Sequence, residues 1–258
     1  MQLMLKKAFT LVELLVVISV ISLLMAIMLP SMSAARQQGR QTYCLNNLRQ
    51  MIIAAHAYIE IYDGYYPTAH YRKKVGSLRF EYCWDFTTVK DTTTNEVKVA
   101  PGLLWWGQTI EKVQQCPSFK GSSNTQYDPY TGYNYNTSYI GHGEGETIET
   151  PARMSQVGRP SRCALFGDGQ WSNGANKFMR SPQIWDGDTD SSLKVAGTQG
   201  YRHNGRTNVA WCDGHVSSQK ELYTETLPQQ KEELDKYNAA AKNKIGFLSP
   251  DNSAYDLK

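Results

Sequence analysis

The chain has 258 residues, of which 41% are hydrophobic and 20% are charged, and its formal net charge is +3. A charge this small and this dispersed does not form the basic surface that nucleic acids require, so we predict no nucleic-acid partner. Five cysteines occur without any C-x-x-C pair, which argues against zinc-knuckle and thioredoxin-type motifs. About 230 residues follow position 30, enough for one good-sized globular domain.

The first predicted element is a long apolar helix. Residues 8–29 contain a single charged side chain, Glu13. At about 1.5 Å per residue, a helix of this length is long enough to cross the hydrocarbon layer of a bilayer. Lys6 and Lys7 precede it, and lysines on the shorter flank favour a cytoplasmic N-terminus. We therefore predict one membrane span with the rest of the chain on the other side of the membrane.

Glu13 is unexpected inside an apolar span. A carboxylate near the centre of a bilayer costs about 2.5–3.5 kcal/mol and usually has a partner. Cleavage of the chain between Ala8 and Phe9 would create an ammonium group on Phe9. Glu13 lies four residues further on, on the same face of the helix. Its carboxylate is then a countercharge for a terminal amine, either its own or that of a neighbouring copy.

The stretch KAFTLVELL resembles the class III leader of type IV prepilins and type II secretion pseudopilins. In that family a membrane peptidase cuts before the Phe and methylates the new amine; here Ala8 stands where the family usually has Gly. The resemblance implies a leader over residues 1–8 and a mature N-terminus at Phe9. It also implies a docking role in assembly for Glu13 and a helix kink at Pro30.

The resemblance also implies partners and a location. We expect a polymer with identical or other pilin-like subunits, a prepilin peptidase, an assembly ATPase and an inner-membrane assembly platform. The precursor would be a single-pass inner-membrane protein with its N-terminus in the cytoplasm and its head in the periplasm, and later part of a cell-envelope filament. Secretion, adhesion and DNA uptake remain open as the purpose of that filament.

The transmembrane or filament-core helix, residues 9–30, is followed by an amphipathic continuation over residues 31–64. Its apolar residues recur in steps of three and four, which predicts a helix with one buried face. Asp63-Gly64 is a C-terminal cap signal. One helix from Phe9 to Tyr62 is predicted, with a bend near Pro30. The apolar face consists of Cys44, Leu48, Met51, Ile52, Ala55, Tyr58, Ile59 and Tyr62.

The remainder predicts an extracytoplasmic, β-rich head over residues 65–220 and a polar C-terminal helix and tail over residues 221–258. Alternating aromatic residues predict a strand over 77–86, and an apolar run predicts another over 162–167. Pro228 opens a predicted exposed helix. The fold class is therefore α+β and pilin-like, with a long kinked N-terminal helix packed on an antiparallel sheet with long loops.

Three aspartates, Asp186, Asp188 and Asp190, alternate within one predicted turn. Such a turn presents carboxylate oxygens that suit a hard cation such as calcium. The complete EF-hand pattern is absent, so a plain solvated turn is the competing interpretation. No other cofactor is expected.

A second specific stretch spans residues 200–216. Asn204-Gly205 and Asp213-Gly214 are both two-residue hairpin signals, which predict a three-stranded meander over 201–203, 206–212 and 215–218. His203, Asp213 and Gly214 match the signature of His, nine residues and Asp-Gly found near the C-terminus of many prepilin-like proteins.

A hydrolase-type metal site would gather Asp168, His203, Asp213 and His215. With two tight turns, however, His203 and Asp213 stand at opposite ends of one strand, roughly 20 Å apart at about 3.3 Å per residue. Metal ligands lie about 2 Å from the ion. We therefore expect structural roles, with Asp213-Gly214 forming a turn and His203 fixing the preceding corner.

The cysteines allow several arrangements. In an oxidising compartment up to two disulfides could form, and the sequence does not pair them. Cys163 and Cys212 lie in strand-like stretches, where buried thiols are as reasonable as a bridge.

A pilin-like structural subunit without enzymatic activity is the predicted function. The alternative is a membrane-tethered extracytoplasmic domain that binds or hydrolyses carbohydrate through the tyrosine-rich stretch 127–146 and the aspartate clusters. The sequence contains neither G-x-S-x-G nor H-E-x-x-H, so that alternative lacks a recognisable catalytic motif.

Overall fold

A computed structural model describes residues 10–105, 111–183, 195–224 and 228–258. The predicted α+β, pilin-like architecture is confirmed, with a long N-terminal helix followed by antiparallel sheets. Helix α1 is Leu11–Ile61 and helix α2 is Pro228–Ala240. The chain divides into two compact units at Arg40. We call residues 11–40 the N-terminal segment and Gln41–Lys258 the head.

The N-terminal segment is helical throughout, and every one of its residues is exposed. It contains a stretch that is long and apolar enough to cross a membrane, none of it buried. Pro30 lies inside the helix. Because proline lacks an N–H group, it removes one hydrogen bond of the helix at this point.

The part of α1 in the head packs one face into the core, as the three-and-four spacing predicts. The last turn ends where Gly64, with φ of +81°, donates from its N–H to the carbonyl of Ile59 at 3.0 Å. The cap predicted at Gly64 is therefore confirmed. The buried residues of this part are Gln41, Cys44, Asn47, Leu48, Met51, Ile52, Ala54, Ala55 and Ile59.

The first sheet of the head is a four-stranded antiparallel meander. The single strand predicted over 77–86 is wrong, because the chain reverses direction at Trp84 and Asp85. Asp85 is buried and its Oδ1 accepts a hydrogen bond from the N–H of Phe86 at 2.9 Å. Of the alternating aromatic residues, Phe80 and Tyr82 thus lie before the reversal, Trp84 lies within it and Phe86 lies after it. The strands are β1 His70–Val75, β2 Leu78–Cys83, β3 Phe86–Asp91 and β4 Val97–Pro101.

The second sheet has five strands in the order β10-β9-β6-β5-β7. Its pairs are antiparallel except β5 with β7, which run parallel. Strands β8 Gln199–Gly200 and β11 Ile245–Gly246 form a separate antiparallel pair. The strands of the five-stranded sheet are β5 Asn134–Asn136, β6 Ala164–Gly167, β7 Phe178–Met179, β9 Thr207–Trp211 and β10 Val216–Gln219.

Two turns flank β9. Asn204 and Gly205 have φ of +54° and +73°, as a type I′ turn requires, and His203 and Arg206 exchange backbone hydrogen bonds of 3.0 and 3.1 Å across it. The two-residue loop predicted at Asp213-Gly214 is wrong, because Trp211 faces His215 and donates from its N–H to the carbonyl of His215 at 3.0 Å. The loop therefore comprises residues 212–214, with Gly214 at φ of +97°.

The predicted first strand of the meander, residues 201–203, is wrong. The strand there is β8, which ends at Gly200 and pairs with β11 instead of β9. Tyr201 donates from its backbone N–H to the carbonyl of Lys244 at 2.8 Å. Arg202 and His203 follow as part of a turn, with both side chains buried in polar contacts.

The core of the head is centred on three aromatic rings that are tilted relative to one another. Trp84, Tyr135 and Phe166 are nearly fully buried, with ring centroids 5.2–5.7 Å apart. These residues belong to the same buried cluster as Leu48 and Met51 of α1. The head therefore covers its own apolar side chains, including one face of the helix.

Buried charges in the head are paired. Lys177 is 5% exposed, and its Nζ lies 2.9 Å from Asp85 Oδ2 and 3.1 Å from Asp128 Oδ1. Burial alone would lower the pKa of Lys177, but the two carboxylates outweigh it and raise that pKa. Burial, opposed by Lys177, raises the pKa of Asp85. The buried charge of Lys177 and those of Asp85 and Asp128 therefore stabilise one another.

Candidate functional site

The start of α1 is fixed by Thr10 and Glu13. The Glu13 carboxylate accepts hydrogen bonds from the backbone N–H of Thr10 at 2.8 Å and from its hydroxyl at 2.7 Å. The Thr10 hydroxyl in turn accepts from the N–H of Glu13 at 3.2 Å. This reciprocal arrangement is a capping box. Ala8 and Phe9, the predicted cleavage and methylation residues, lie outside the described residues.

The first part of the N-terminal segment, from Leu11 to Leu29, presents an apolar surface. Its exposed side chains include Leu11 at 78%, Ile27 at 69% and Leu29 at 66%. Apolar patches of this extent are rare on free soluble proteins and mark contact with a membrane or with another protein. Lipid tails or other apolar helices are therefore the surroundings that this segment needs.

The signature residues of the second motif lie in two different environments. His203 is buried and its Nε2 lies 3.2 Å from Asp168 Oδ2. Asp213 is exposed and accepts from the N–H of His215 at 3.1 Å, while its Oδ1 lies 2.6 Å from His215 Nδ1. The structure thus brings His203 to Asp168, and Asp213 to His215. Asp186, Asp188 and Asp190, the predicted calcium turn, lie outside the described residues.

Three tyrosines of the tyrosine-rich stretch 127–146 are buried. Tyr133, Tyr135 and Tyr139 are between 0% and 8% exposed. The Tyr135 hydroxyl donates to the carbonyl of Pro67 at 2.8 Å. These rings pack the interior of the head and are not available to stack on a sugar.

Five buried side chains with polar or ionisable groups lie together in the described part of the head, and we call them the buried polar cluster. It consists of Cys44, Cys116, Asp168, Arg202 and His203. Cys44 lies on helix α1, Cys116 on the segment after β4, and Asp168 directly after β6. Arg202 and His203 lie in the turn before β9. One potential ligand atom from each of the two cysteines, the aspartate and the histidine lies within 4.8 Å of all the others.

Short contacts connect the cluster. Cys44 Sγ donates to Asp168 Oδ1 at 3.1 Å, and the two sulfur atoms of Cys44 and Cys116 are 3.7 Å apart. His203 Nε2 lies 3.7 Å from Cys116 Sγ. Within the described part of the chain, His203 Nδ1 has no hydrogen-bond partner, so Nε2 is the ring atom turned toward the cluster.

Arg202 closes the cluster on one side. Its Nη2 lies 3.1 Å from Asp168 Oδ1, and its Nε donates to Cys116 Sγ at 3.2 Å. The guanidinium also donates to the backbone carbonyls of Gly132 and Gly169. A fully buried guanidinium therefore holds a carboxylate and a sulfur atom at fixed positions.

The electrostatics of the cluster favour an anion at Asp168 and at Cys116, whereas burial and the hydrogen bond with Cys116 raise the pKa of the Cys44 thiol. Burial opposes ionisation of Asp168, but Arg202 and His203 outweigh it and keep the pKa of that carboxyl below its ordinary value. Burial also opposes ionisation of Cys116, yet its hydrogen bond with Cys44 and the charge of Arg202 bring the pKa of this thiol well below its ordinary value. Burial would lower the pKa of His203, but the Asp168 carboxylate raises it to about 9.

Sequence reasoning identified only part of this cluster. The sequence places Asp168 and His203 together only in the hydrolase-type hypothesis, which the expected spacing of His203 and Asp213 argues against. It assigns Cys44 to the apolar face of the helix and leaves the pairing of the cysteines open. Cys44 is 72 residues from Cys116 and 124 from Asp168, so no short motif connects them. The available signal is the position of Cys44 on the predicted apolar face of the helix.

Comparison with known proteins identifies the N-terminus. Residues 3–29 match the family model described as the prokaryotic N-terminal methylation motif. No curated protein and no solved structure gives a significant match to the chain. The matched residues include the KAFTLVELL stretch, so this chain carries the N-terminal motif of type IV prepilin-like proteins.

Proposed function

We propose that this protein is a pilin-like structural subunit that is cut before Phe9 and then assembles through the N-terminal segment into a filament. The observation that carries the proposal is the continuity of two features. The methylation motif at residues 3–29 includes the first part of helix α1. The residues of this helix are all exposed as far as Arg40. Both a type II secretion pseudopilus and a type IV pilus-like filament fit this proposal.

Apolar burial supplies the driving force for assembly. Each Å² of apolar surface removed from water contributes about 25 cal/mol, so a helix of exposed Leu, Ile and Val side chains is stable only in lipid or against similar helices. The precursor satisfies this demand in the membrane. A filament satisfies it by packing the N-terminal segments of many copies together.

Glu13 provides specificity in this scheme. Inside a packed filament core a carboxylate without a partner is strongly unfavourable. Its present partners, the backbone and hydroxyl of Thr10, belong to the same turn. The amine of a processed Phe9 from a neighbouring copy would provide the opposite charge and fix the stagger between subunits.

The remaining parts of the proposal concern location and role. The N-terminus is cytoplasmic in the precursor and the head is periplasmic, with a prepilin peptidase and an inner-membrane assembly platform as partners. We assign the head a structural, non-enzymatic role. Because the head covers its apolar side chains by itself, we expect it to keep its fold while the N-terminal segment moves from lipid to filament.

Cross-linking between copies tests the proposal. A photo-crosslinking amino acid in place of Leu24 is introduced into the wild-type chain, a Glu13→Gln variant and a Glu60→Gln control, all expressed in the native host. Glu60 is an exposed carboxylate of the same helix, but in the head. We expect ladders of cross-linked copies in the wild type and in Glu60→Gln, and at least a tenfold weaker ladder in Glu13→Gln at equal membrane levels.

Two results would count against the proposal. Absence of a ladder in the wild type contradicts assembly through the N-terminal segment. An equally strong ladder in Glu13→Gln keeps assembly but removes the docking role of the carboxylate.

A further inference from the structure

We propose that the head binds one zinc ion through Cys44, Cys116, Asp168 and His203. This inference is independent of filament assembly, because all four residues belong to the head. Two sulfur atoms, one imidazole nitrogen and one carboxylate oxygen are all ligand types that zinc accepts, and four ligands complete its tetrahedral shell.

The distances between the ligand atoms agree with a tetrahedral ion. Bonds of about 2.3 Å to sulfur and about 2.0–2.1 Å to nitrogen or oxygen place neighbouring ligand atoms about 3.3–3.8 Å apart. The two sulfur atoms are 3.7 Å apart, and Cys116 Sγ is 3.7 Å from His203 Nε2. The two oxygens of Asp168 face different ligands: Oδ2 lies 3.2 Å from His203 Nε2, and Oδ1 lies 3.1 Å from Cys44 Sγ. All pairs of ligand atoms lie within 4.8 Å of each other, so shifts of about 1 Å or less bring the four ligands to a common ion.

The charges also balance. Zinc contributes +2, two thiolates contribute −2, Asp168 contributes −1, and a neutral His203 contributes nothing. Arg202, in contact with both Asp168 and Cys116, supplies the remaining +1. The buried assembly is then neutral, as burial in a low-dielectric interior requires. Binding releases the thiol protons and any proton on His203 Nε2 to solvent.

The surroundings indicate a structural site. Cys44, Cys116 and Asp168 are 0% exposed and His203 is 3% exposed. With four protein ligands and no access for solvent, the ion has no open position for a substrate or water, unlike a catalytic zinc. It would join helix α1 to three distant parts of the head. Such a link stabilises the folded state, because the unfolded chain does not hold these groups together.

A disulfide between Cys44 and Cys116 is the main competing arrangement. It would need the sulfur atoms to approach from 3.7 Å to about 2.05 Å. A neutral disulfide, however, would remove the thiol that donates to Asp168 and would leave Arg202 Nε beside an uncharged sulfur. Asp168 pairs with Arg202 and His203 in either arrangement. The two hydrogen bonds that involve sulfur therefore favour free cysteines that can bind a cation over a disulfide.

Metal content of the full chain tests the proposal. The protein is purified in detergent under a thiol-free reductant, incubated with an equimolar zinc salt, desalted, and measured by elemental mass spectrometry. We expect about one zinc per chain in the wild type and at least a tenfold loss in Cys44→Ala and Cys116→Ala. Cys83→Ala and Cys163→Ala are matched controls, since both thiols are buried elsewhere, and they should retain the metal.

A second measurement uses the unmutated chain, so that a misfolded variant leaves no ambiguity. Cobalt(II) bound to two thiolates in a tetrahedral site gives strong visible bands and a thiolate-to-cobalt charge-transfer band in the near ultraviolet. Absence of these bands would overturn the proposal, as would zinc retained equally in Cys44→Ala. A Cys44–Cys116 disulfide found by peptide mapping of protein from its native envelope would overturn it as well. Each of these results leaves N-terminal processing untouched, so the two proposals fail separately.

Discussion

Helix α1 passes through two opposite environments. Every residue from Thr10 to Arg40 is exposed although most of them are apolar up to Leu29, whereas nine residues of the same helix beyond Arg40 are buried in the head. The N-terminal segment has a helical backbone and exposed side chains. The head part of the helix forms one wall of a core that includes Trp84 and Phe166.

The difference separates what a chain satisfies by itself from what it leaves to partners. Helical hydrogen bonds are local, so both parts form the same secondary structure. Apolar burial is not local, and only the head supplies the side chains that it requires. The N-terminal segment is therefore complete as a helix and incomplete as a packed structure, as expected for a segment that exchanges lipid for other subunits.

The sharpest contrast is between two charged residues. Lys177→Met leaves Asp85 and Asp128 buried without their shared cation, which should cost about 3–5 kcal/mol of unfolding free energy. Glu13→Gln should leave the unfolding midpoint of the head unchanged. Urea unfolding in detergent, followed by the fluorescence of the buried tryptophans, measures both variants.

The Lys177→Met effect has a matched control and a pH dependence. Lys98 pairs with Glu96 at the surface, where both side chains are more than 60% exposed, so Lys98→Met should have no measurable effect. The variant keeps Asp85, whose pKa burial already raises. A carboxyl whose pKa is higher in the folded state than in the unfolded state stabilises the fold more as the pH falls. The loss of unfolding free energy in Lys177→Met, relative to the wild type, should therefore become smaller toward acidic pH. A deficit that widens there would contradict this account.

Two leucines of α1 test the contrast within one helix. Leu48 is 0% exposed and Leu24 is 52% exposed. Leu48→Ala should lower the unfolding free energy of the head by about 2–5 kcal/mol, because it removes buried methyl groups and leaves a cavity. Leu24→Ala should leave it unchanged in the same urea titration. Equal losses in both variants would mean that the N-terminal segment contributes to the fold of the head.

Two glycines give the smallest effects, of opposite sign. Gly214 has φ of +97°, which strains any other residue, so Gly214→Ala should destabilise the head by about 1 kcal/mol. Gly39 has open space around its Cβ position within α1. Gly39→Ala should favour the helix by about 1 kcal/mol, visible as increased helical circular dichroism in detergent. A Gly214→Ala variant with the same unfolding free energy as the wild type would contradict this prediction and would show that the turn adopts another backbone conformation.

The features predicted well from the sequence are those set by local patterns. The apolar run and the three-and-four spacing place both parts of α1, and Asn204-Gly205 identifies its turn. The failures have tertiary causes. The alternating aromatic residues predict one strand where the structure has two. The chain reverses at Asp85, whose buried carboxylate pairs with Lys177. Residues 201–203 do not extend the meander, because Arg202 and His203 point into the buried polar cluster.

The buried polar cluster could not be assembled from the sequence as a whole. Spacing along one strand separates His203 from Asp213, and the structure pairs each of them with a different residue. Spacing along the strand between His203 and Asp213 does not predict which residue of helix α1 faces it. Only the packing of α1 against the sheet brings Cys44 to Asp168.

The most direct test of the central claim is the intact mass and N-terminal sequence of the protein isolated from its native membrane. We predict a chain that starts at N-methylated Phe9 and has lost residues 1–8. That result would establish processing as a prepilin-class substrate. A chain that still starts at Met1, with no methyl group, would contradict it and would leave the N-terminal segment as a simple membrane anchor.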